Sequence, residues 1–154
     1  EELSTFWQAR QPMIGLFNGE QLLGVACVIE PDSGIGSSRL WHWRLKMLLT
    51  AGLVSTRQML NKEERIHAAM PAKRYHMLAF IAVAPKYQHA GLGHYLLQAV
   101  DSLVDEDPSS AGIGVFVTLQ KYQAFFADDQ YQKVAELSFS TVQGSLMFRV
   151  RQTA

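Results

Sequence analysis

Leu78-Ala79-Phe80-Ile81-Ala82-Val83-Ala84-Pro85-Lys86-Tyr87-Gln88-His89-Ala90-Gly91-Leu92-Gly93-His94-Tyr95-Leu96-Leu97 is the most informative run in the chain. Its first half belongs to a dense apolar stretch, extending from Tyr75 to Ala84, that reads as a buried strand closed by Pro85. From Gly91 onward Leu92, Leu96, Leu97, Val100, Leu103 and Val104 recur at helical spacing, and Asp105-Glu106-Asp107-Pro108 ends the helix. Between them lies a turn with two glycines two residues apart. The first turn of a helix leaves backbone N–H groups unpaired and carries partial positive charge, which suits a phosphate. Without side chains, Gly91 and Gly93 would let a diphosphate approach the main chain. On these residues alone a tight strand-to-helix turn reads equally well. The dinucleotide fingerprint fits poorly, because Gln88 to Gly93 lacks its third glycine.

Working outward, Met13–Phe17 and Gln21–Ile29 are apolar runs joined by Asn18-Gly19, the sequence of a tight hairpin turn. Leu3, Phe6 and Trp7 suggest a short helix within residues 1–10, and Pro31–Ser38 a loop. Residues 39–70 have helical texture, with a capping box at Ser55-Thr56-Arg57-Gln58 and Met59, Ile66 and Met70 on one face. Beyond the central helix, Ile113–Leu119 reads as a strand and Tyr122–Ala127 as a short helix. Val134–Val142 and Leu146–Val150 read as a closing hairpin around Gln143-Gly144. Strands alternating with helices make this an α/β (α+β) chain, and 154 residues suit one domain.

Formal net charge is zero, which argues against a general nucleic-acid partner. The single cysteine, Cys27, excludes a disulfide framework and a cysteine-based zinc site within one chain, and its apolar surroundings make it a core residue. No apolar stretch is long enough to span a membrane, and no metal site is expected. A reducing, cytoplasmic setting fits.

The pattern Val83-x-Pro85-x-x-Gln88-x-x-Gly91-Leu92-Gly93-x-x-Leu96-Leu97 resembles the main cofactor motif of the GNAT superfamily of N-acetyltransferases. Gly24 and the closing Leu146-Met147-Phe148-Arg149 fit the same family, and residues 39–70 resemble the helical insert of one subgroup. The resemblance covers residues 12–150, strongly at 78–97 and loosely elsewhere. The family's first strand has no clear counterpart, so a strand is expected to be missing ahead of Glu1. The resemblance implies a mixed central sheet flanked by helices and a single domain over 1–154. It also implies an enzyme that moves an acetyl group from acetyl-CoA to a primary amine of a small molecule or peptide by direct attack. The second reading is an acyl-CoA-binding sensor without transfer activity. A homodimer is compatible with either. By the same resemblance Ile81, Ala82 and Val83 would lie on a splayed strand and pair with the pantetheine arm, and the amides of Gln88, His89, Ala90, Gly91, Leu92, Gly93 and His94 would hold the pyrophosphate. Lys86 would face the 3′-phosphate.

The catalytic pattern departs from the family. Where many members carry aromatic-Tyr-x-x-x-Gly-Phe, this chain has Phe125-Phe126-Ala127-Asp128-Asp129-Gln130-Tyr131, so Phe126 takes the place of the tyrosine acid and Gln130 that of the glycine. Tyr122, one helical turn earlier, is the remaining acid candidate. Residues 71–100 contain no Asp or Glu, which leaves His76 and Glu30 as candidate bases. Arg39, Arg44, Lys46, Arg57, Lys62, Arg65, Lys73 and Arg74 make the insert and its exit basic, which reads as a solvated helical face or as a rim suited to an acidic acceptor or to the cofactor phosphates. Trp41, Trp43, Met47 and Met59 are candidates for an apolar acceptor pocket beneath a lid.

Overall fold

The computed structural model describes residues 11–31, 61, 62, 64–139 and 142–153. The expected helices before residue 60, with the capping box, Trp41, Trp43, Met47 and Met59, lie outside them. Strands β1 (Met13–Asn18) and β2 (Gln21–Ile29) form the expected hairpin, with Gly19 at a φ of 61° in the turn. Next come β3 (His76–Val83), a 3₁₀ turn (Pro85–Tyr87), α1 (Leu92–Asp105) and β4 (Gly112–Val117). A second 3₁₀ turn (Gln120–Tyr122) leads into α2 (Gln123–Asp128), followed by β5 (Gln132–Phe139) and β6 (Val142–Val150). The strands form one six-stranded sheet in the order β1-β2-β3-β4-β6-β5, antiparallel throughout except for parallel β3 and β4. The mixed sheet agrees with the expectation.

Two apolar clusters divide the sheet into faces. On one, Leu96, Leu97, Val100 and Val104 of α1 pack on Ala26, Val28, Leu78, Ile113, Val115, Val117 and Met147, with Phe126 of α2 beside them. Gly24 faces this helix, since a Cβ there would sit 2.8 Å from Leu96 Cδ1. On the other face Ile66 and Met70, from helical residues 64–69 and the turn after them, pack on Leu146 and Phe148 with Met77, Phe116 and Phe139 around them. Gly114 admits this contact, because a Cβ would lie 2.2 Å from Met70 Cε. Cys27 is buried, and desolvation pushes its thiol up in pKa, the opposite of an activated nucleophile.

Two expectations are corrected. Gln143-Gly144 is not a turn: both residues lie inside β6, and the strands flank residues 140–141. Gly144 is a packing glycine, for a Cβ would meet Phe116 Cζ at 2.6 Å and Val117 O at 2.8 Å. β4 also ends at Val117 rather than Leu119.

A buried polar network ties α1 to the last strands. Tyr131 donates its hydroxyl to Asp101 Oδ1 at 2.8 Å, and Arg149 makes a two-pronged pair with Asp105, both contacts at 2.9 Å. Arg149 Nε lies 3.6 Å from Asp101 Oδ2. Burial pushes the Asp101 carboxyl up from 3.8 to about 6, against the pull of the Tyr131 hydrogen bond and the Arg149 charge. An acid held above its unfolded value binds its proton more tightly when folded. Its contribution to stability is therefore full below pH 4, falls as pH rises to about 6, and stays lost above. Asp101→Asn keeps an acceptor for Tyr131 and removes the buried charge. The variant is expected to be more stable than the parent at pH 7 by about 2–3 kcal/mol, with the gap closing by pH 4. Urea unfolding at pH 4, 5, 6 and 7 measures this; a pH-independent gap would assign the effect to packing instead.

Candidate functional site

The site begins with an interrupted ladder. β3 pairs with β4 only at His76↔Ile113 and Met77↔Gly114. Beyond that point β4 continues on its other side, Val115 to Val117 against Met147 to Ser145 of β6, while β3 continues against β2. The reason lies in β3 itself. Its register with β2 runs Val28↔Leu78 and then Cys27↔Phe80, which leaves Ala79 as an extra residue. A bulge of this kind bends its strand and sharpens the local twist. It also shifts the side-chain phase, so that Leu78, Ile81 and Val83 all reach the α1 face although the first two are three apart. Among the described residues, the backbone of Leu78–Val83 on its β4 side has no strand partner. A split thus opens between β3 and β4 on the C-terminal side of Met77 and Gly114.

That split leads to the loop. Ala84 donates its N–H to Leu23 O at 2.8 Å, and Gln88 Nε2 donates to Val83 O at 2.9 Å, so both ends of the 3₁₀ turn are tied to the sheet. His89 and Gly91 have φ of 65° and 78°. Two left-handed residues so close together fold the main chain into a concave turn whose N–H groups can converge. Gly91 is the N-cap of α1 and supplies no side-chain cap, so the first-turn amides of Leu92, Gly93 and His94 have neither a capping nor an intrahelical partner. A Cβ at Gly91 would meet nothing within 4 Å, which marks open space in front of the helix. The two glycines therefore differ: Gly93 is small because Phe125 of α2 stands 3.2 Å from where its Cβ would be.

The remaining sequence candidates fall in three places. Ile81, Ala82 and Val83 lie along the unpaired half of β3, and Gln88, His89, Ala90, Gly91, Leu92, Gly93 and His94 form the loop and helix start, so the strand and loop candidates adjoin. His94 turns its ring onto Phe125, centroids 4.6 Å apart, with Nδ1 3.0 Å from Asp129 Oδ2. His76 is far from the loop, at the closed end of the split, and is 1% exposed. Its Nδ1 meets Ser110 Oγ at 2.7 Å, and Ser110 in turn donates to Gly112 O at 2.9 Å. Burial lowers the His76 pKa, opposed by the charges of Asp107 and Glu30. This is a clasp between the starts of β3 and β4. Tyr122 is exposed, with the Lys121 ammonium 5.0 Å from its ring centre. Phe126 is buried edge-on between Phe125 and Tyr131 and presents no polar atom. Gln130, the position the resemblance gives to glycine, has a φ of 69°, where glycine is the least strained residue. Among the described residues, no group of three or more His, Cys, Asp or Glu is placed to hold a metal. Among them too, no helix is long and apolar enough to cross a membrane.

The bulge at Ala79 was not anticipated from sequence, whereas the splay of the strand was implied by the family resemblance alone. The one signal was the apolar spacing of Leu78, Ile81 and Val83, hidden because every residue from Met77 to Ala84 is apolar.

No family model and no curated protein matches this sequence. Solved structures do match its fold. FeeM, an N-acyl amino acid synthase from uncultured soil microbes, superposes with a TM-score of 0.61 at 19% identity, over 98% of this chain and 72% of that one. The chain has the GNAT acyltransferase fold. An acetyltransferase of the GNAT family from Streptococcus pneumoniae gives a TM-score of 0.58 at 11% identity, covering 97% of this chain and 72% of its own. A mutant AtaT toxin, solved with the C-terminus of antitoxin AtaR and acetyl-CoA, gives 0.60 at 12% identity, covering 96% and 72%. At these identities the likeness establishes the GNAT fold, and function rests on the site.

Proposed function

We propose that this chain is an acyl-CoA-dependent N-acyltransferase that moves an acetyl group to a primary amine. The observation that carries this reading is the split beyond Met77↔Gly114 opening onto an uncapped helix start. An extended ligand bearing amide groups can add to the free side of β3 as a further strand, with main-chain hydrogen bonds supplying affinity. Pantetheine is such a ligand, and the diphosphate at its far end matches the converging amides of residues 88–94. That one fold neighbour was solved with acetyl-CoA supports the choice of ligand.

In the proposed reaction the neutral amine attacks the thioester carbonyl carbon, the C–N bond forms, the C–S bond breaks, and the amine proton passes to solvent. A β3 N–H near Val83 is the proposed donor to the developing oxyanion. The leaving thiol ionises near pH 8.5, so departure as thiolate needs no strong acid. Phe126, with no proton to give, is compatible with such a reaction. The role of Tyr122 is decided by substitution: Tyr122→Phe is expected to leave kcat within about threefold, since general acid catalysis would be worth about 10²–10⁴-fold. A larger loss would place its phenol at the sulfur.

Isothermal calorimetry with CoA, acetyl-CoA and ADP, followed by thiol release with an amine panel, tests the whole reading. Binding of acetyl-CoA well above ADP with turnover is expected. Tight binding with no turnover on any amine would favour a sensor, and no binding would end the proposal. A homodimer and a cytoplasmic setting are compatible with it.

A further inference from the structure

On the face of the sheet away from α1, a cationic and aromatic cluster stands beside the split. Phe116 lies between Val115 and Val117, on the part of β4 that has left β3, and its side chain points away from α1. Lys62 Nζ is 5.1 Å from the Phe116 ring centre and 5.9 Å from that of Phe139. Arg65 Cζ is 4.7 Å from the Phe139 centre, and its Nη1 donates to Ser138 O at 2.6 Å. The two rings meet edge-on at 5.6 Å. Lys62 is half-buried, and the ion pairs among the described residues all lie elsewhere. A partly desolvated ammonium on an aromatic floor is attractive to an anion, because the rings stabilise the charge without neutralising it.

Direction of approach gives this cluster its meaning. On the α1 side the split is backed by Val115, Val117 and Phe126, all buried. On the acyltransferase reading, a nucleophile approaches the carbonyl from the other side, where Phe116 and Lys62 stand. Resting on the acyltransferase reading above, we propose that the acceptor is an amine carrying a carboxylate, with Lys62 binding that carboxylate and Arg65 holding Phe139 and β5 in place beside it. The same positive charge lowers the pKa of an adjacent amine, which favours the neutral form that attacks. One cluster thus recognises the acceptor and helps to prepare it.

The test uses the full chain, acetyl-CoA and a thiol-release assay with the common α-amino acids set against their carboxamides. The carboxamides have more of their amine neutral at a given pH, so intrinsic reactivity works against the expectation. The free acids are expected to show kcat/KM at least tenfold higher. Lys62→Met should remove that preference by raising KM for the acids far more than for the carboxamides, with the Kd for acetyl-CoA unchanged; Lys62→Glu should invert it. Equal rates for acids and carboxamides, or a preference that survives Lys62→Met, would overturn the inference. So would acetyl-CoA binding with no turnover of any carboxylate-bearing amine. Failure to bind acetyl-CoA at all would instead sink the acyltransferase reading, and the two failures are separable.

Discussion

A carboxylate at position 91 is expected to weaken acetyl-CoA binding at least a hundredfold while leaving the fold intact. Gly91 is the N-cap of α1, and a Cβ there enters open space, so Gly91→Asp meets no steric obstacle. Its φ of 78° is one that Asp tolerates better than most residues, at a cost of about 1 kcal/mol. Asp is also among the best residues for capping free first-turn amides, and its charge suits the helix dipole, so α1 should not loosen. The same features oppose a diphosphate: the side chain competes for the amides of the first turn, and its charge repels the ligand. Gly91→Asn separates the two effects, since it has the same shape and capping ability without the charge. The Asn variant is expected to lose about tenfold, a cost of about 1.4 kcal/mol. Calorimetry with acetyl-CoA and thermal unfolding of both variants read this out. Wild-type affinity in a stable Asp variant would move the diphosphate away from this helix.

Local chemistry made much of the fold legible. Asn18-Gly19 defines a hairpin by its tolerance for positive φ, and the spacing of Leu92, Leu96, Leu97 and Val100 sets the buried face of α1. Where residue type served two purposes, sequence misled. Gly144 looked like a turn residue because glycine is common in turns, but it is small to accommodate Phe116. His76 read from sequence either as a structural histidine or as a candidate base, and its surroundings are those of a buried hydrogen-bonded clasp. The cluster joins Lys62 to rings 54 and 77 positions away, so only the sheet brings it together. The split is of the same kind. It depends on which partner each strand keeps, and a run of apolar residues carries no record of that choice.

Deleting Ala79 is expected to close the split and reduce acetyl-CoA affinity by a thousandfold or more, with the fold retained. Without that residue, Leu78, Ile81 and Val83 fall two apart along the strand, the spacing of a regular strand with one face on α1. The register with β2 becomes continuous through Val28↔Leu78, Cys27↔Phe80 and Ala26↔Ile81. With its bend removed, β3 can extend the parallel ladder past Met77↔Gly114 toward Val115 and Val117. Each added backbone pair satisfies groups that are now open, so the variant should be at least as stable as its parent. What it loses is the free side of β3, and with it the place where an amide-bearing chain would add. Hydrogen exchange should show new protection in residues 80–83 of the free variant, and calorimetry should detect no acetyl-CoA. Retained affinity alongside that new protection would place the cofactor outside the split. Loss of both fold and binding would instead make the bulge a requirement of packing, and the Gly91 variants would then decide whether the ligand sits at the helix.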